Sequence, residues 1–488
     1  MAGAATSSTA SRAIGSLAGP RGWPLVGHLL QFDMPRLHLQ MEAWARDFGP
    51  LYRIRIGRRD VLVLSDPDAI AVALRARPDT WRRLSSFEPI LREMGGHGVF
   101  SAEGDDWRRQ RRLVMSAFDP AHLRRFMPSL LRVAERLLRR WVGAAQAGAR
   151  MDLQAELMRF SVDVTAGLAF GVDMNTVEQE RSELHEHLEK VFPMIHRRMN
   201  LPLAYWRYVK LPVDRAFDRD VQAIRAAGHE LLAQAHQRLR DQPDRVLAPT
   251  DLLEAMLVAR DADGSALSEE EILGNVLTIL VAGEDTTANS LAWALYLLGR
   301  HPAAWDRVVA EADTVLGAAT LPASVEQVRT LPYAEACVNE AMRLHPVAPL
   351  LFLDALRETR VLDVQVPAGT TLFCAMRPGA VDAARIEQAG GFVPERWLGG
   401  DATLAAASPK RVSMPFGAGP RLCPGRTLAM LEMNLVLALV ARNFELLEVG
   451  TDQGTPPAER MAFTMFPLGL RLRLGLRDGA QSVRAGVH

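Results

Sequence analysis

The sequence predicts a mainly helical protein with small β-sheets, and three observations support this prediction. The chain has 488 residues, of which 48% are hydrophobic and 23% charged, so it can bury a large core. Helical patterns dominate from Ala69 to Arg343 and are interrupted by prolines. Strand-like segments are few and short.

The strands are predicted from short runs of β-favouring residues. Leu51–Ile56 and Val61–Leu64 are joined by a connection that begins at Gly57, which predicts a hairpin. Strand character returns around Leu350–Phe373 and again at Leu470–Leu474 near the C-terminus.

The ends of the chain are expected to be tails around one domain. Residues 1–19 are rich in Ala, Ser, Thr and Gly and lack an apolar run of signal-peptide length. Because they carry Arg12 and no acid, a short organelle transit peptide is the alternative to a disordered tail. The domain is expected over residues 20–476, with a second tail over 477–488.

Composition argues against nucleic-acid binding and against a transmembrane segment. Lys plus Arg and Asp plus Glu number 57 each, so the net charge is zero and no nucleic-acid binding is predicted. The most apolar stretch, Ile272–Leu298, contains Glu284 and Asp285, so no transmembrane segment is predicted.

The cysteines favour a reducing compartment. Cys337, Cys374 and Cys423 are spaced for neither a disulfide framework nor a zinc site, so a cytoplasmic protein is expected. Arginine and alanine abound while lysine is scarce, a bias typical of the GC-rich genomes of many bacteria.

Cys423 lies in the most informative segment of the chain. Residues 416–425 are Phe-Gly-Ala-Gly-Pro-Arg-Leu-Cys-Pro-Gly, and an apolar helical pattern follows. Backbone N–H groups of such a loop, together with a helix start, favour the thiolate, which is the form that binds a metal. A small buried hydrophobe is the alternative for a lone cysteine.

This segment resembles the haem-thiolate signature of the cytochrome P450 family, Phe-x-x-Gly-x-Arg-x-Cys-x-Gly, at all five fixed positions. Agreement at five positions argues against a small buried hydrophobe. The resemblance implies that haem b is bound between a distal helix and the cysteine loop. Cys423 would ligate the iron and favour O–O cleavage, and Phe416, Arg421 and Gly425 would also contribute to cofactor binding.

A long helix is predicted between Ser268 and about Gly299. Ser268 followed by Glu271 forms a capping-box pattern, which marks a helix start. The middle of this helix, residues 282–287, is Ala-Gly-Glu-Asp-Thr-Thr, and these polar groups would be costly if they served only as core. A solvated turn or a capped threonine pair is the alternative.

The same residues resemble the distal-helix motif of the family. Ala282 and Gly283 would lie against the haem, and glycine would allow close approach to its face. Thr286 would bond back to the helix and open a local kink, while Asp285 and Thr286 route protons to dioxygen through water.

A Glu-x-x-Arg pair on a helix face is a weak signal by itself. It occurs at Glu340–Arg343, where Leu-His-Pro follows, and also at Glu156–Arg159 and Glu178–Arg181, which we interpret as surface pairs. By resemblance, Arg396 joins the Glu340–Arg343 pair in a buried network that shapes the cysteine loop.

Trp107 and Arg111 lie four residues apart and share a helix face. They match the family's Trp-x-x-x-Arg, whose side chains bind a haem propionate, with a simple basic helix face as the alternative. Many members carry a further arginine in the strand after Leu-His-Pro. That strand, Pro349–Asp354, has none here, which predicts an apolar pocket wall.

By resemblance, separate segments supply a mainly apolar substrate pocket that includes Phe87, Leu350, Leu351, Phe352, Phe463 and Thr464. Such a lining favours an apolar substrate, and a fatty acid, a terpenoid, a steroid and a polyketide all stay open. The segment Leu201–Tyr208 is either a mobile lid or ordinary surface.

The resemblance implies a monooxygenase that inserts one oxygen atom of O2 by hydroxylation or epoxidation. NAD(P)H-derived electrons would come from separate proteins, a ferredoxin and its reductase or a flavodoxin-type donor, because the chain ends soon after its last strand. Arg108, Arg109 and Arg112 near Arg426 would form a basic docking face.

Three alternatives to this function stay open from the sequence. One is a peroxide-using or O2-independent haem-thiolate enzyme. Another is a non-catalytic haem carrier or sensor, and the third is a helical protein without haem.

Overall fold

The computed structural model describes residues 11–93, 95–179, 183–188, 190–201, 203–399 and 408–477. The strands are β1 (Arg12–Ala13), β2 (Leu51–Ile56), β3 (Arg59–Leu64), β4 (Trp81–Arg83), β5 (Met151–Asp152), β6 (Leu350–Ala355), β7 (Thr359–Val361), β8 (Val364–Val366), β9 (Thr371–Ala375), β10 (Phe444–Thr451), β11 (Glu459–Met461), β12 (Met465–Pro467) and β13 (Leu470–Leu476). The helices are α1 (Leu37–Phe48), α2 (Pro67–Arg75), α3 (Phe87–Glu93), α4 (Gly104–Ala117), α5 (Pro120–Gln146), α6 (Leu153–Phe170), α7 (Glu183–Leu188), α8 (Val191–Asn200), α9 (Pro212–Asp241), α10 (Asp244–Leu247), α11 (Leu252–Val258), α12 (Glu269–Arg300), α13 (Pro302–Leu316), α14 (Val325–Val328), α15 (Pro332–Leu344), α16 (Pro409–Val412) and α17 (Arg426–Asn443).

The chain divides into two compact units, of which the first consists of Met1–Ser85, Ala348–Gly390 and Thr403–Leu422. Its larger sheet has the strand order β2-β3-β9-β6-β4, in which only β3 and β9 run parallel. Residues 61–64 of β3 are all buried, because apolar side chains of α2 pack against this sheet.

The predicted hairpin in this unit is confirmed. Strands β2 and β3 pair antiparallel from Leu51 opposite Leu64 to Ile56 opposite Arg59, so the second strand begins two residues before the predicted Val61. Gly57 has a φ of 60° in the turn, a conformation that glycine adopts at little cost.

The prediction of a disordered tail over residues 1–19 is wrong for residues 11–19. Arg12 and Ala13 form β1, which pairs parallel with β8, and Arg12 forms an ion pair with Asp363. Leu17 is only 5% exposed and joins the core of this unit. Apolar anchoring therefore orders a segment whose composition suggests disorder. Residues 1–10 and 478–488 of the two predicted tails lie outside the described residues.

The second unit consists of Ser86–Val347, Gly391–Ala402 and Cys423–His488, and it is mainly helical. Its centre is α12, which packs against α6, α15 and α17. Residues 287–298 of α12 and 431–441 of α17 are buried on every side, which explains why both sequences are mainly apolar. The small sheet β10-β13-β5 and the hairpin β11–β12 complete the unit.

The predicted start of α12 is confirmed by its capping box. The Glu271 carboxylate accepts the N–H of Ser268 at 2.8 Å, and the Ser268 hydroxyl accepts the N–H of Glu271 at 3.3 Å. The helix ends at Arg300, just before Pro302. In the described part of the chain, none of the helices has both the length and the apolarity that a membrane crossing requires.

Candidate active site

Cys423 lies immediately before α17, and its sulfur accepts hydrogen bonds from the N–H groups of Gly425 and Arg426. Desolvation by the surrounding protein leaves the pKa of this thiol above its ordinary value, although the two N–H donors and the charge of Arg111 act to lower it. A helix N-terminus supplies such donors because its first N–H groups have no partner within the helix.

The other two cysteines have different surroundings. Cys337 and Cys374 are buried, and burial raises the pKa of both thiols, that of Cys374 to about 12. The surroundings of Cys423 also desolvate its thiol, but this residue keeps exposed surface through which a ligand can reach the sulfur. The geometry therefore favours Cys423 as the metal-binding thiolate.

Two glycines shape the turn ahead of this cysteine. Gly417 and Gly419 have φ angles of 76° and 70°, and a Cβ atom at Gly419 would lie 2.7 Å from Cα of Arg75. Phe416 and Arg421 lie in the same turn, within the first unit. Their contribution to haem binding stays a prediction.

The middle of α12 presents an accessible strip. Ala282 is exposed and Thr286, one turn later, is partly exposed, although Leu280 and Thr287 beside them are buried. The Thr286 hydroxyl donates to the carbonyl oxygen of Ala282 at 2.8 Å, as predicted. The helix continues through this position without a break, so the bond does not interrupt it.

Gly283 has a steric role that the sequence did not predict. A Cβ atom here would lie 2.8 Å from the hydroxyl oxygen of Thr165 on α6. The missing side chain therefore lets two helices approach closely. A contact of Gly283 with haem stays a prediction.

Asp285 hydrogen-bonds the side chain of Thr464, between β11 and β12. Burial raises the pKa of Asp285 to about 6, and the Thr464 hydrogen bond opposes this rise. A carboxyl group with this pKa can both bind and release a proton near neutral pH. Sequence reasoning assigned Thr464 to the substrate pocket and missed this contact, since the two residues are distant in the chain.

Glu340 is the centre of a buried network in the second unit. Its carboxylate accepts hydrogen bonds from Arg343 at 2.7 and 2.8 Å and from Arg396 at 3.0 Å, which brings together the three predicted residues. The N–H of Val393 and the indole of Trp397 also donate to it. Burial raises the pKa of Glu340, but these donors outweigh it and leave the pKa below its usual value.

The surface interpretation of Glu156 is wrong. Glu156 is 6% exposed and accepts hydrogen bonds from Arg140 at 2.6 and 2.7 Å and from the Trp141 indole at 3.1 Å. Arg159 instead donates to the carbonyl oxygen of Thr176. A neighbouring helix thus replaces the partner that the spacing suggests.

The second surface pair also has other partners. Glu178 pairs with Arg139 at 2.7 Å and with Arg136 at 3.7 Å. Arg181, its predicted partner, lies outside the described residues.

Trp107 and Arg111 both lie on α4, as predicted, with Trp107 buried and Arg111 half-buried. Burial lowers the pKa of Arg111, and the negative charge of Cys423 acts to raise it. A half-buried guanidinium close to the cysteine sulfur favours an anionic ligand group such as a propionate.

The neighbouring arginines of α4 form ion pairs with acidic residues. Arg108 pairs with Asp105, Arg109 pairs with Asp106 and Glu271, and Arg112 pairs with Asp261. The predicted basic face is therefore largely neutralised within the chain. Arg426 is exposed beside the cysteine.

An apolar cavity borders the accessible strip of α12. It is lined by Leu277, Thr278, Val281 and Ala282 of α12, by Leu91, Gly96 and Phe100, by Leu188, Val191, Ile195, Val221 and Ile224, and by Phe463. Apart from the Thr278 hydroxyl, these side chains are apolar, so the cavity suits an apolar ligand.

The predicted pocket residues are only partly brought together. Phe463 lines the cavity, whereas Phe87 is buried in α3 and outside its lining. Leu350, Leu351 and Phe352 belong to β6 of the first unit. The substrate contacts of Phe87 and of these three residues stay predictions.

The segment predicted as a lid or surface is anchored to Glu93 of α3 by Trp206 and Arg207. Trp206 is 4% exposed, and its indole donates to Glu93 of α3 at 2.9 Å. Pro202 of the same segment lies outside the described residues.

The residues of the second unit fit a haem-thiolate cofactor. The Cys423 sulfur is accessible and bonded by two N–H groups, and Arg111 lies within electrostatic range of it. Ala282 and Thr286 are accessible in a helix that is otherwise largely buried. Cys423 would bind the haem iron through its sulfur, and Trp107 and Arg111 would hold a propionate.

Comparisons with known proteins agree with this fit. The family model described as Cytochrome P450 matches residues 17–474. Pentalenene oxygenase of Streptomyces avermitilis is 28% identical over 95% of this chain and 98% of its own length. Cyclooctatin synthase of Streptomyces melanosporofaciens is 30% identical over 92% of this chain and 94% of its own.

Two further similar proteins extend the comparison. A bifunctional cytochrome P450/NADPH–P450 reductase of Gibberella moniliformis is 27% identical over 99% of this chain, which spans 42% of that relative's length. The crystal structure of a cytochrome P450 (CYP102L1) has a TM-score of 0.81 at 25% identity, covering 94% of this chain and 99% of that one.

Proposed function

The chain belongs to the cytochrome P450 family, and on that premise we propose that it is a haem-thiolate monooxygenase that oxidises an apolar small molecule. The observation that carries the proposal is the pairing of an accessible, N–H-bonded Cys423 sulfur with the accessible strip of α12. When bound, haem supplies the activation of dioxygen and the transfer of one oxygen atom to a C–H or C=C bond.

The proton chemistry is assigned to residues of α12. Asp285 has a pKa of about 6, so both its protonated and its charged forms are populated near neutral pH. The Thr286 hydroxyl lies on the accessible side of the helix and holds its hydrogen bond to Ala282. We assign Asp285 as the proton donor and Thr286 as the hydroxyl that directs protons toward dioxygen.

An apolar small molecule is proposed as the substrate because apolar side chains dominate the cavity beside Ala282. Such a cavity orients its ligand by shape and excludes water. Two similar proteins are named for pentalenene and cyclooctatin, so pentalenene is the first ligand to test.

Separate redox proteins, a ferredoxin with its reductase or a flavodoxin-type donor, are proposed as the electron source. Docking on the face beside Cys423 is supported by the exposed position of Arg426. Arg108, Arg109 and Arg112 hold ion pairs with acidic residues of the chain and are assigned no part in docking. Reconstitution with each donor at low and high salt tests this, since electrostatic docking weakens as salt rises. A cytoplasmic setting is part of the proposal because all three cysteines are free thiols.

The experiment is to measure product and hydrogen peroxide formed per NAD(P)H consumed. For Thr286→Ala we expect the product yield to fall by roughly 10-fold or more while peroxide appears, because the hydroxyl that directs protons is gone. Ser290→Ala is the matched control. Its hydroxyl bonds back to the carbonyl oxygen of Thr286 at 2.8 Å, one turn further along α12.

The outcomes are distinct. Fully coupled turnover by Thr286→Ala would rule out the relay. Absence of turnover by the wild type with every donor and ligand would instead favour a non-catalytic haem protein.

A further inference from the structure

Asn275 is a fully buried amide on α12, about two turns before Ala282. Its Oδ1 accepts the N–H of Val99 at 2.6 Å. Its Nδ2 donates to Oε1 of Gln110 at 3.0 Å and to the carbonyl oxygen of Glu271 at 2.7 Å. The side chain thus connects α12 both to α4 and to the loop before α4.

The orientation of the two amides is fixed by their other partners. Gln110 is also fully buried, and its Nε2 donates to both carboxylate oxygens of Asp106, at 3.1 and 3.2 Å. Its Oε1 is therefore the atom that faces Asn275. Each amide uses its donor and acceptor in a complementary way, which a hydrophobic replacement cannot do.

The loop lies directly on the backbone of α12 at this point. A Cβ atom at Gly98 would lie 2.8 Å from the carbonyl oxygen of Gly274, and one at Gly274 would lie 2.4 Å from that of His97. Both glycines are therefore needed for close approach of the two backbones. Ser101 closes the loop by donating to the carbonyl oxygen of Gly96 at 2.5 Å.

The same loop forms one wall of the apolar cavity. Gly96 and Phe100 line the cavity together with Phe463. The rings of Phe100 and Phe463 lie 6.1 Å apart, within the range of favourable aromatic pairs. Fixing Val99 therefore also fixes the aromatic residue that follows it.

We propose that Asn275 is a positioning residue for substrate selection, which holds the loop His97–Ser101 on α12 so that Phe100 forms a rigid wall of the substrate cavity. This inference rests on the proposed function, because it takes the cavity to be the substrate site. A rigid wall rejects ligands of the wrong shape, whereas a loose one adapts to them.

The first experiment measures the loop itself. In the holoprotein, Asn275→Ala leaves the Val99 N–H and the Gln110 amide without these partners, so we expect hydrogen exchange in residues 96–101 to accelerate at least about tenfold. Unchanged exchange in this segment would overturn the clamp. This readout depends on neither turnover nor a substrate.

The matched control is Asn443→Ala. Asn443 is also fully buried, and its Nδ2 donates to the carbonyl oxygens of Leu439, four residues earlier in its helix, and of Thr320, both at 2.8 Å. It therefore makes a comparable link between a helix and a loop without lining the cavity. Exchange in residues 96–101 and ligand selection should both stay as in the wild type.

The second experiment measures selection as ligand-induced spin shifts of the haem, with pentalenene and a panel of larger and smaller hydrocarbons. For Asn275→Ala we expect the ratio of Kd values between disfavoured and preferred ligands to fall at least about fivefold toward one. An unchanged ratio despite faster loop exchange would overturn the selective role.

A further variant keeps the proposal testable if Asn275→Ala does not fold. Phe100→Leu alters the wall and leaves the Asn275 hydrogen bonds in place. It should change the ratio of Kd values without faster exchange at Val99, and an unchanged ratio would contradict the role of this wall.

Failure of the proposed function and failure of this inference give different results. If the wild type binds haem but shows no spin shift with any ligand, the proposed substrate site fails. A selective wild type with an equally selective Asn275→Ala variant refutes this inference alone.

Discussion

The side chain of Thr464 hydrogen-bonds the carboxyl group of Asp285 and so links the hairpin β11–β12 to the middle of α12. Burial alone would favour the neutral carboxyl, and the hydroxyl partly restores the charged form. The pKa of the proposed proton donor, Asp285, therefore depends on a residue outside its own helix.

Thr464→Val should raise the pKa of Asp285 further above about 6, because the hydrogen bond that favours the carboxylate is lost. We expect the pH profile of product yield per NAD(P)H to shift to higher pH. Thr464→Ser, which keeps the hydroxyl, should retain the wild-type profile. Identical profiles for the valine and serine variants would show that the hydroxyl does not tune Asp285.

Asp285→Asn should raise the free energy of unfolding relative to the wild type, and this gain should be larger at pH 8 than at low pH. Denaturant unfolding of both proteins at the two pH values measures it. The folded-state pKa of Asp285 is raised from 3.8 to about 6, so stability is lost as pH rises between these values. The loss is about 3 kcal/mol above pH 6, since one pKa unit corresponds to about 1.4 kcal/mol. A stability difference between the two proteins that does not change with pH would contradict the raised pKa.

Glu340→Gln should lower the free energy of unfolding by about 3 kcal/mol or more, because it leaves the fully buried Arg343 without its counter-charge. The pKa of Glu340 is lowered in the folded state, so its contribution is present above the ordinary carboxyl pKa and is lost as pH falls. The difference between variant and wild type should therefore narrow in acid.

Glu395→Gln is the control for that variant. Glu395 has a 47% exposed side chain and pairs with Arg307, so its loss should cost less than about 1 kcal/mol. Equal costs for the two substitutions would contradict the central place of Glu340 in the network.

Short-range patterns account for what the sequence predicts well. The cysteine turn, the capping box at Ser268 and the Glu340–Arg343 pair each depend on residues close together in the chain. Local backbone chemistry decides them, so their spacing is informative. The β1 strand was missed because a two-residue edge strand has no periodic pattern.

Contacts between distant segments could not be predicted from the sequence. Thr464 with Asp285, Trp397 with Glu340 and Asn275 with Val99 each join segments that only the fold brings together. Asn275 carried a usable signal, since a polar residue in the apolar half of a helix needs a partner. The partner itself could not be named without the fold.

Binding of haem by Cys423 as a thiolate can be tested with the carbon monoxide difference spectrum of the reduced protein. We expect a strongly red-shifted Soret band in the wild type and its loss in Cys423→Ala, because only the wild type has the thiolate. An unshifted, histidine-like band in correctly folded wild-type protein, or an unchanged thiolate spectrum in the variant, would contradict it.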